Sequence, residues 1–177
     1  MERREARMLV VTLVRELNRV QSWSGATHVQ KCVFFLRELT RVPVPYEFVI
    51  YHYGPFSFDL DDDLAFMRMR GWLEVESGDG YGVHYHPGPQ APGELPESVA
   101  RFHDSVRWVA ERFGKAEAKR LELLATSFYV WKRMGTGGEA PREPDVIAAV
   151  KGLKPHFSEA AIGAALQELH AIQRCLT

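Results

Sequence analysis

The chain has little cysteine, no long apolar run and no surplus of charge. Cys32 and Cys175 are its only cysteines in 177 residues. They stand far apart, both inside apolar helical patterns, so buried reduced thiols are expected, with a bridge between them left open. No stretch approaches the ~18 consecutive apolar residues of a membrane helix. The opening Met1-Glu2-Arg3-Arg4-Glu5 mixes charges and leads to no small-residue cleavage site, so no signal peptide and a cytoplasmic location are expected. The 22 basic and 23 acidic residues leave a formal charge of −1, without the strong basicity that marks most nucleic-acid binders. Cut after the proline cluster, residues 1–93 carry 10 basic and 12 acidic side chains and residues 94–177 carry 12 and 11. Neither half is polarised. Gly-x-Gly-x-x-Gly, Walker and His-Glu-x-x-His motifs are all missing, which removes the commonest phosphate-binding and zinc-protease signatures.

What is present is an ordinary globular composition, 46% hydrophobic and 25% charged. A chain this long buries roughly 70% of its extended surface and needs no disulfide or metal staple. Residues 2–20 carry a helical stripe of Met8, Val11, Leu13, Val14, Leu17 and Val20. Thr27-His28-Val29-Gln30 has the form of a capping box opening a second helix to about Leu39, ended by Pro43 and Pro45. Tyr46 to Tyr51 alternates as a strand does, and Gly54-Pro55 stops it. Ser57 is placed to cap a third helix, with Asp59, Asp61, Asp62 and Asp63 matched to its dipole and Leu60, Leu64 and Met67 facing inward. Gly71 closes it. Residues 72–86 around Gly78-Asp79-Gly80 read as a β-hairpin.

Prolines 87, 89, 92 and 96 with Gly88 and Gly93 mark a linker, and the rest of the chain is helical. One helix carries Val99, Phe102, Val106, Val109 and Phe113. The next carries Leu121, Leu124, Ala125, Phe128, Trp131 and Met134 and ends at Gly135-Thr136-Gly137-Gly138. A short helix spans Asp145–Leu153 and breaks at Pro155. Ser158 caps the last, with Ile162, Ala165, Leu166, Leu169 and Ile172 inward. The expected fold is mainly α (α+β): a winged-helix-like portion over 1–86 with a hairpin wing, a linker over 87–96, and a helical bundle over 97–177.

Few residues invite a chemical reading. His84 and His86 share one side of a strand, and His28 and Cys32 one face of a helix, but the pairs lack the tight spacing of a zinc site. No metal or cofactor is expected. The aspartates at 59–63 cannot converge on one cation from a single helical turn. They fit a helix terminus better, with a contact surface for a basic partner as their possible further use. Ser57 lacks the surroundings of a nucleophile elbow. Tyr46, Phe48, Tyr51 and Tyr53 could stack bases, but with only Lys31, Arg37 and Arg41 near them packing is expected. No enzyme class stands out.

One pattern is distinctive as a whole. Thr27-His28-Val29-Gln30-Lys31-Cys32-Val33-Phe34-Phe35-Leu36, then Tyr51-His52-Tyr53-Gly54-Pro55-Phe56-Ser57, then Leu64 and Gly71-Trp72-Leu73, resembles YwgA-like proteins. More distantly it is similar to the Panacea domain of SocA-type antitoxins. Val29 or Gln30 stands where those families have a Leu. Leu121 to Thr126 and Lys154-Pro155-His156-Phe157-Ser158 resemble the helical tail of YwgA-like chains. The motif positions are Lys31, Tyr53, Gly54, Pro55, Ser57 and Pro155. The resemblance implies a prokaryotic, non-enzymatic protein-binding module, antitoxin-like or a regulatory or defence adaptor, whose partner is a toxin or effector. The alternative is a winged-helix DNA-binding regulator, with Arg3, Arg4, Arg7, Arg15 and Arg19 supplying basic surface and the helical tail forming a homo-oligomer.

Overall fold

The computed structural model describes residues 1–78, 82–135 and 140–176. The chain is mainly helical, with two small antiparallel sheets of two strands each. The order is α1 (Arg3–Arg19), α2 (Ala26–Glu38), β1 (Val49–Tyr51), β2 (Gly54–Phe56), α3 (Phe58–Met69), β3 (Leu73–Gly78), β4 (Gly82–Pro87), α4 (Glu97–Ala100), α5 (His103–Phe113), α6 (Ala118–Met134), α7 (Glu143–Leu153) and α8 (Glu159–Leu176).

α2 is the central element. Every residue from His28 to Leu36 is buried, because α1, α5, α6 and β2 pack around it. A helix enclosed on all sides has no polar face to give to water, so its polar side chains must find partners inside. This overturns the expected capping box. The helix begins at Ala26 after Gly25, without a side-chain cap, and Gln30 points inward to other work. A reciprocal terminus of this kind opens α1 instead, where the Glu2 amide donates to the Glu5 carboxylate at 3.0 Å.

The strand expected over 46–51 shortens to Val49–Tyr51, and Gly54-Pro55 continues as a strand where a stop was expected. β1 and β2 pair Val49 with Phe56, Ile50 with Pro55 and Tyr51 with Gly54. Tyr46 and Phe48 precede the strand and are buried. Gly54 holds φ at +85°, which only glycine adopts without strain. Ser57 caps α3 as expected, its Oγ accepting from the Leu60 amide at 3.3 Å. Gly71, at φ +67°, ends the helix in a Schellman arrangement, with the Trp72 amide bonded to the Met67 carbonyl at 2.8 Å. β3 and β4 form the expected hairpin; Asp79 and Gly80 of its turn lie outside the described residues, as do Thr136 to Gly138.

The proline-rich stretch is bound to the body along part of its length. The Gly88 and Gln90 amides donate to the Trp72 and Gly71 carbonyls, both at 2.9 Å, and Arg15 donates to the Pro92 carbonyl at 2.7 Å. The helix expected to run from Val99 to Phe113 breaks at Arg101 and Phe102 into α4 and α5. α5 packs on α1 and α2, and one hydrophobic core runs from Ala6 to Ile172. Helices before and after the linker therefore share a single interior. Ser158 caps α8 through the Ala161 amide at 3.1 Å, and its five expected inward residues are all buried.

Candidate functional site

The β1–β2 hairpin lies over three buried ionisable side chains from three helices. Lys31 of α2 is 1% exposed, Glu122 of α6 7% and Lys154, just past α7, 5%. Lys31 Nζ donates to the Pro55 carbonyl at 2.9 Å. Lys154 Nζ pairs with Glu122 Oε1 at 2.6 Å and donates to the carbonyls of Tyr51 and His52. His156 Nε2 stands 3.8 Å from the same Glu122 oxygen. Gln30 completes the underside: its Nε2 donates to the Ser57 carbonyl at 3.0 Å and its Oε1 accepts from the Ser57 amide at 2.9 Å. Buried backbone polar groups of a tight hairpin need partners, and here side chains supply them at Tyr51, His52, Pro55 and Ser57.

Two ammonium groups face one carboxylate in this interior. Burial pushes the Lys31 pKa down to about 8; nearby Glu122 opposes the shift and Lys154 adds to it. Gly54 is a close-approach position as well as a turn position, because a Cβ there would come within 2.6 Å of Thr126 Oγ1. The Thr126 and Ser127 hydroxyls are buried with no hydrogen-bond partner among the described residues.

Of the motif positions, Lys31, Gly54, Pro55 and Ser57 come together beneath the hairpin. Tyr53 projects from its top, and Pro155 follows Lys154 and accepts from Lys151 at 2.7 Å. Gln30, expected as a capping residue, and Glu122, Thr126 and Lys154, which the sequence offers only within the tail motifs, are site residues that sequence reasoning missed. A glutamate inside the apolar run Leu121 to Ala125 was the available signal, since a charge on a buried stripe requires a partner.

The outer side of the hairpin is aromatic and exposed, where packing was expected for Tyr51 and Tyr53. Tyr51 is 46% exposed, Tyr53 67% and Phe58 57%. Tyr51 meets Phe56 and Phe58 with ring centroids 5.5 Å apart in each case, and Phe56 meets Phe58 at 5.1 Å. Val49 of β1 and Leu153, which precedes Lys154, are exposed apolar residues as well.

The aspartate cluster divides. Asp59, Asp61 and Asp62 are exposed, whereas Asp63 is 1% exposed and withdrawn from any contact surface. α3 turns Asp63 toward α1, where Arg3 Nε lies at 3.0 Å and Arg7 Nη2 at 2.8 Å. The Tyr46 hydroxyl donates to it at 3.0 Å, and burial together with that carboxylate pushes the phenol pKa up. The basic surface expected on α1 is thereby largely consumed. Arg3 and Arg7 hold Asp63, Arg15 holds the Pro92 carbonyl, and Arg19 pairs with Glu16 and Glu111 at 2.7 and 2.6 Å.

His84 and His86 stand side by side with ring centroids 6.2 Å apart, and each has a further partner. His84 lies against Trp23 with ring centroids 3.5 Å apart and planes tilted by 57°, and His86 Nδ1 lies 2.6 Å from Asn18 Oδ1. His28 Nε2 lies 2.9 Å from the Ala116 carbonyl, and burial lowers its pKa. Burial pushes the Cys32 thiol up to about 12. Cys175, expected inside, is exposed, and both cysteines are free. No helix is long and apolar enough to cross a membrane among the described residues. No family model matches the chain, and no curated protein matches it.

Proposed function

We propose that this chain is a non-catalytic protein-binding module that offers the outer side of the β1–β2 hairpin to another protein. The observation that carries the reading is the contiguous aromatic cluster of Tyr51, Phe56 and Phe58, with Tyr53 exposed at the turn beside it, on a hairpin anchored from below by Lys31, Lys154 and Gln30. Tyrosine and phenylalanine bring large contact area with few rotatable bonds, and a backbone already fixed loses little entropy on binding. The resemblance to YwgA-like and Panacea-type chains supplies the kind of partner: a cytoplasmic toxin or effector held by protein contact. It also supports a winged-helix-like N-terminal portion, with α3 standing before the β3–β4 wing as a recognition helix would.

The electrostatics favour protein over duplex DNA. α3 would lead into a groove with Asp59, Asp61 and Asp62 exposed, a like-charge approach to phosphates. Arg3, Arg7, Arg15 and Arg19 of α1, which would offset it, are tied to carboxylates and a carbonyl, which leaves Arg4, exposed, as the remaining cation of that helix. The test is co-purification of the tagged chain from its own cells, then reconstitution with the purified partner. Tyr53→Asp and Phe58→Asp are expected to weaken that complex at least tenfold without lowering the melting temperature by more than a few degrees. A partner that binds both variants as tightly as the parent overturns the reading. So does tight, salt-sensitive binding of duplex DNA by the unmodified protein.

A further inference from the structure

The outward stripe of α3 is Phe58, Asp62, Ala65 and Met69, spaced four, three and four residues apart. That spacing is the seam along which two helices pair. All four side chains are exposed, Phe58 by 57% and Met69 by 77%, although the opposite face of the same helix is fully packed. The flanking charges are segregated along the axis. Asp59 and Asp61 stand at the N-terminal end, Arg68 and Arg70 at the C-terminal end. At ~100° per residue, Asp61 and Arg68 fall on one flank of the stripe and Asp59 and Arg70 on the other. Asp61, Asp62, Arg68 and Arg70 form no ion pair among the described residues, whereas Asp59 already pairs with Arg3 at 3.3 Å, so the Asp61–Arg68 flank supplies most of the charge complementarity.

A helix face ordered in this way is complementary to its own reverse. When two copies of α3 run antiparallel about a two-fold axis crossing between Asp62 and Ala65, each flank meets its own counterpart. Phe58 then lies over Met69 of the second copy, Asp61 opposite Arg68, and Asp59 opposite Arg70. Symmetry repeats each contact. The parallel arrangement would set aspartate against aspartate and arginine against arginine, so charge selects the direction. Ala65, small and central, lets the two backbones approach.

We propose that the outer face of α3 is the docking site for a second copy of this chain, forming an antiparallel, two-fold symmetric dimer. The inference goes beyond the protein-partner reading and does not rest on it. The pair covers Phe58, which the partner surface also uses, so the two contacts exclude one another at that residue, and it leaves Tyr53 outside the contact. Asp62 faces Ala65 of the other copy close to its own symmetry mate, and that repulsion, with the small area of one helix face, keeps the affinity modest.

Sedimentation velocity of the whole protein at about 10–500 μM, in low salt, tests it; this span brackets Kd values of a weak but specific pair. A concentration-dependent shift from monomer to dimer is expected, weakened by added salt. Asp61→Arg or Arg68→Asp alone should weaken association at least tenfold, the double exchange should restore it, and Asp62→Asn should tighten it. Circular dichroism melting checks that each variant remains folded. If a charge variant unfolds, Ala65→Cys in a Cys175→Ser background takes its place, with a short thiol cross-linker expected to capture the dimer. A monomer throughout the range, a dimer indifferent to the single exchanges, or no cross-linked product overturns the proposal.

Discussion

Two buried charge clusters hold this molecule together, and they are built differently. Around Asp63 a single desolvated carboxylate accepts from Tyr46 and is met by Arg3 and Arg7, whose side chains remain 47% and 21% exposed. Beneath the β1–β2 hairpin, Lys31, Lys154 and Glu122 are all buried, and the cations bond mainly to backbone carbonyls. The first cluster ties helix to helix through long, partly hydrated arginines. The second fixes the path of a short loop. Burying ions is costly unless they are paired and hydrogen-bonded, so the cost falls where position matters most, under the surface we assign to partner contact.

The comparison breaks most readily at its two carboxylates. Glu122→Gln leaves Lys154 buried without a counter-ion and should destabilise the fold by about 3 kcal/mol or more. Asp63→Asn leaves arginines that can turn to water and should cost about half as much. Equal losses in chemical denaturation would mean that the clusters do not differ as described. Next in size is Gly54→Ala, strained both by φ and by Thr126 Oγ1, with an expected loss of about 2 kcal/mol. Adding Thr126→Ala should recover part of it by removing the hydroxyl; no recovery would leave backbone conformation as the only cause.

The third prediction concerns pH. The folded-state pKa of Lys31, about 8, lies below the ordinary lysine value of about 10.5. Between those values the unfolded chain holds the proton and the folded chain releases it, so the Lys31 contribution makes stability rise with pH. Below about pH 8 the cost of the buried charge is fully present. Unfolding free energies at pH 7.5 and pH 10 should therefore differ more favourably for the parent than for Lys31→Met. A Lys31→Met profile parallel to the parent would remove the buried-charge assignment. Smallest of all, Tyr53→Ser on the exposed side should change stability by no more than about 0.5 kcal/mol.

Much of the fold was legible because local chemistry and burial agree along it. Ser57, Gly71 and Ser158 announce helix ends, and the stripe of α8 is read off without error. The misreadings share one cause. Thr27 and Gln30 form a plausible capping box in isolation, but Gln30 sits where α2 is enclosed, and its side chain takes the Ser57 amide and shares the Ser57 carbonyl with the Asp61 amide. Tyr51 and Tyr53 read as packing residues because nothing local says which side of a hairpin meets the core. The four aspartates look alike in sequence; only the position of α1, set by tertiary packing, draws Asp63 inward and leaves the others outside. Half of the site was legible from the Tyr51-to-Ser57 motif and Lys31, although Gly54-Pro55 reads as a strand stop and not as a second strand. Glu122 and Lys154 are remote from it in sequence and are joined to it only by the packing of α6 and α7.

The central claim is that buried side chains hold the hairpin in place from below. Hydrogen exchange of the amides from Val49 to Ser57, compared between the parent and Lys154→Met, tests it most directly. The account expects exchange at the hairpin to accelerate at least tenfold in the variant, while the core amides of α1 keep their protection relative to global unfolding. Hairpin amides that exchange at the parental rate in a folded Lys154→Met protein would contradict it.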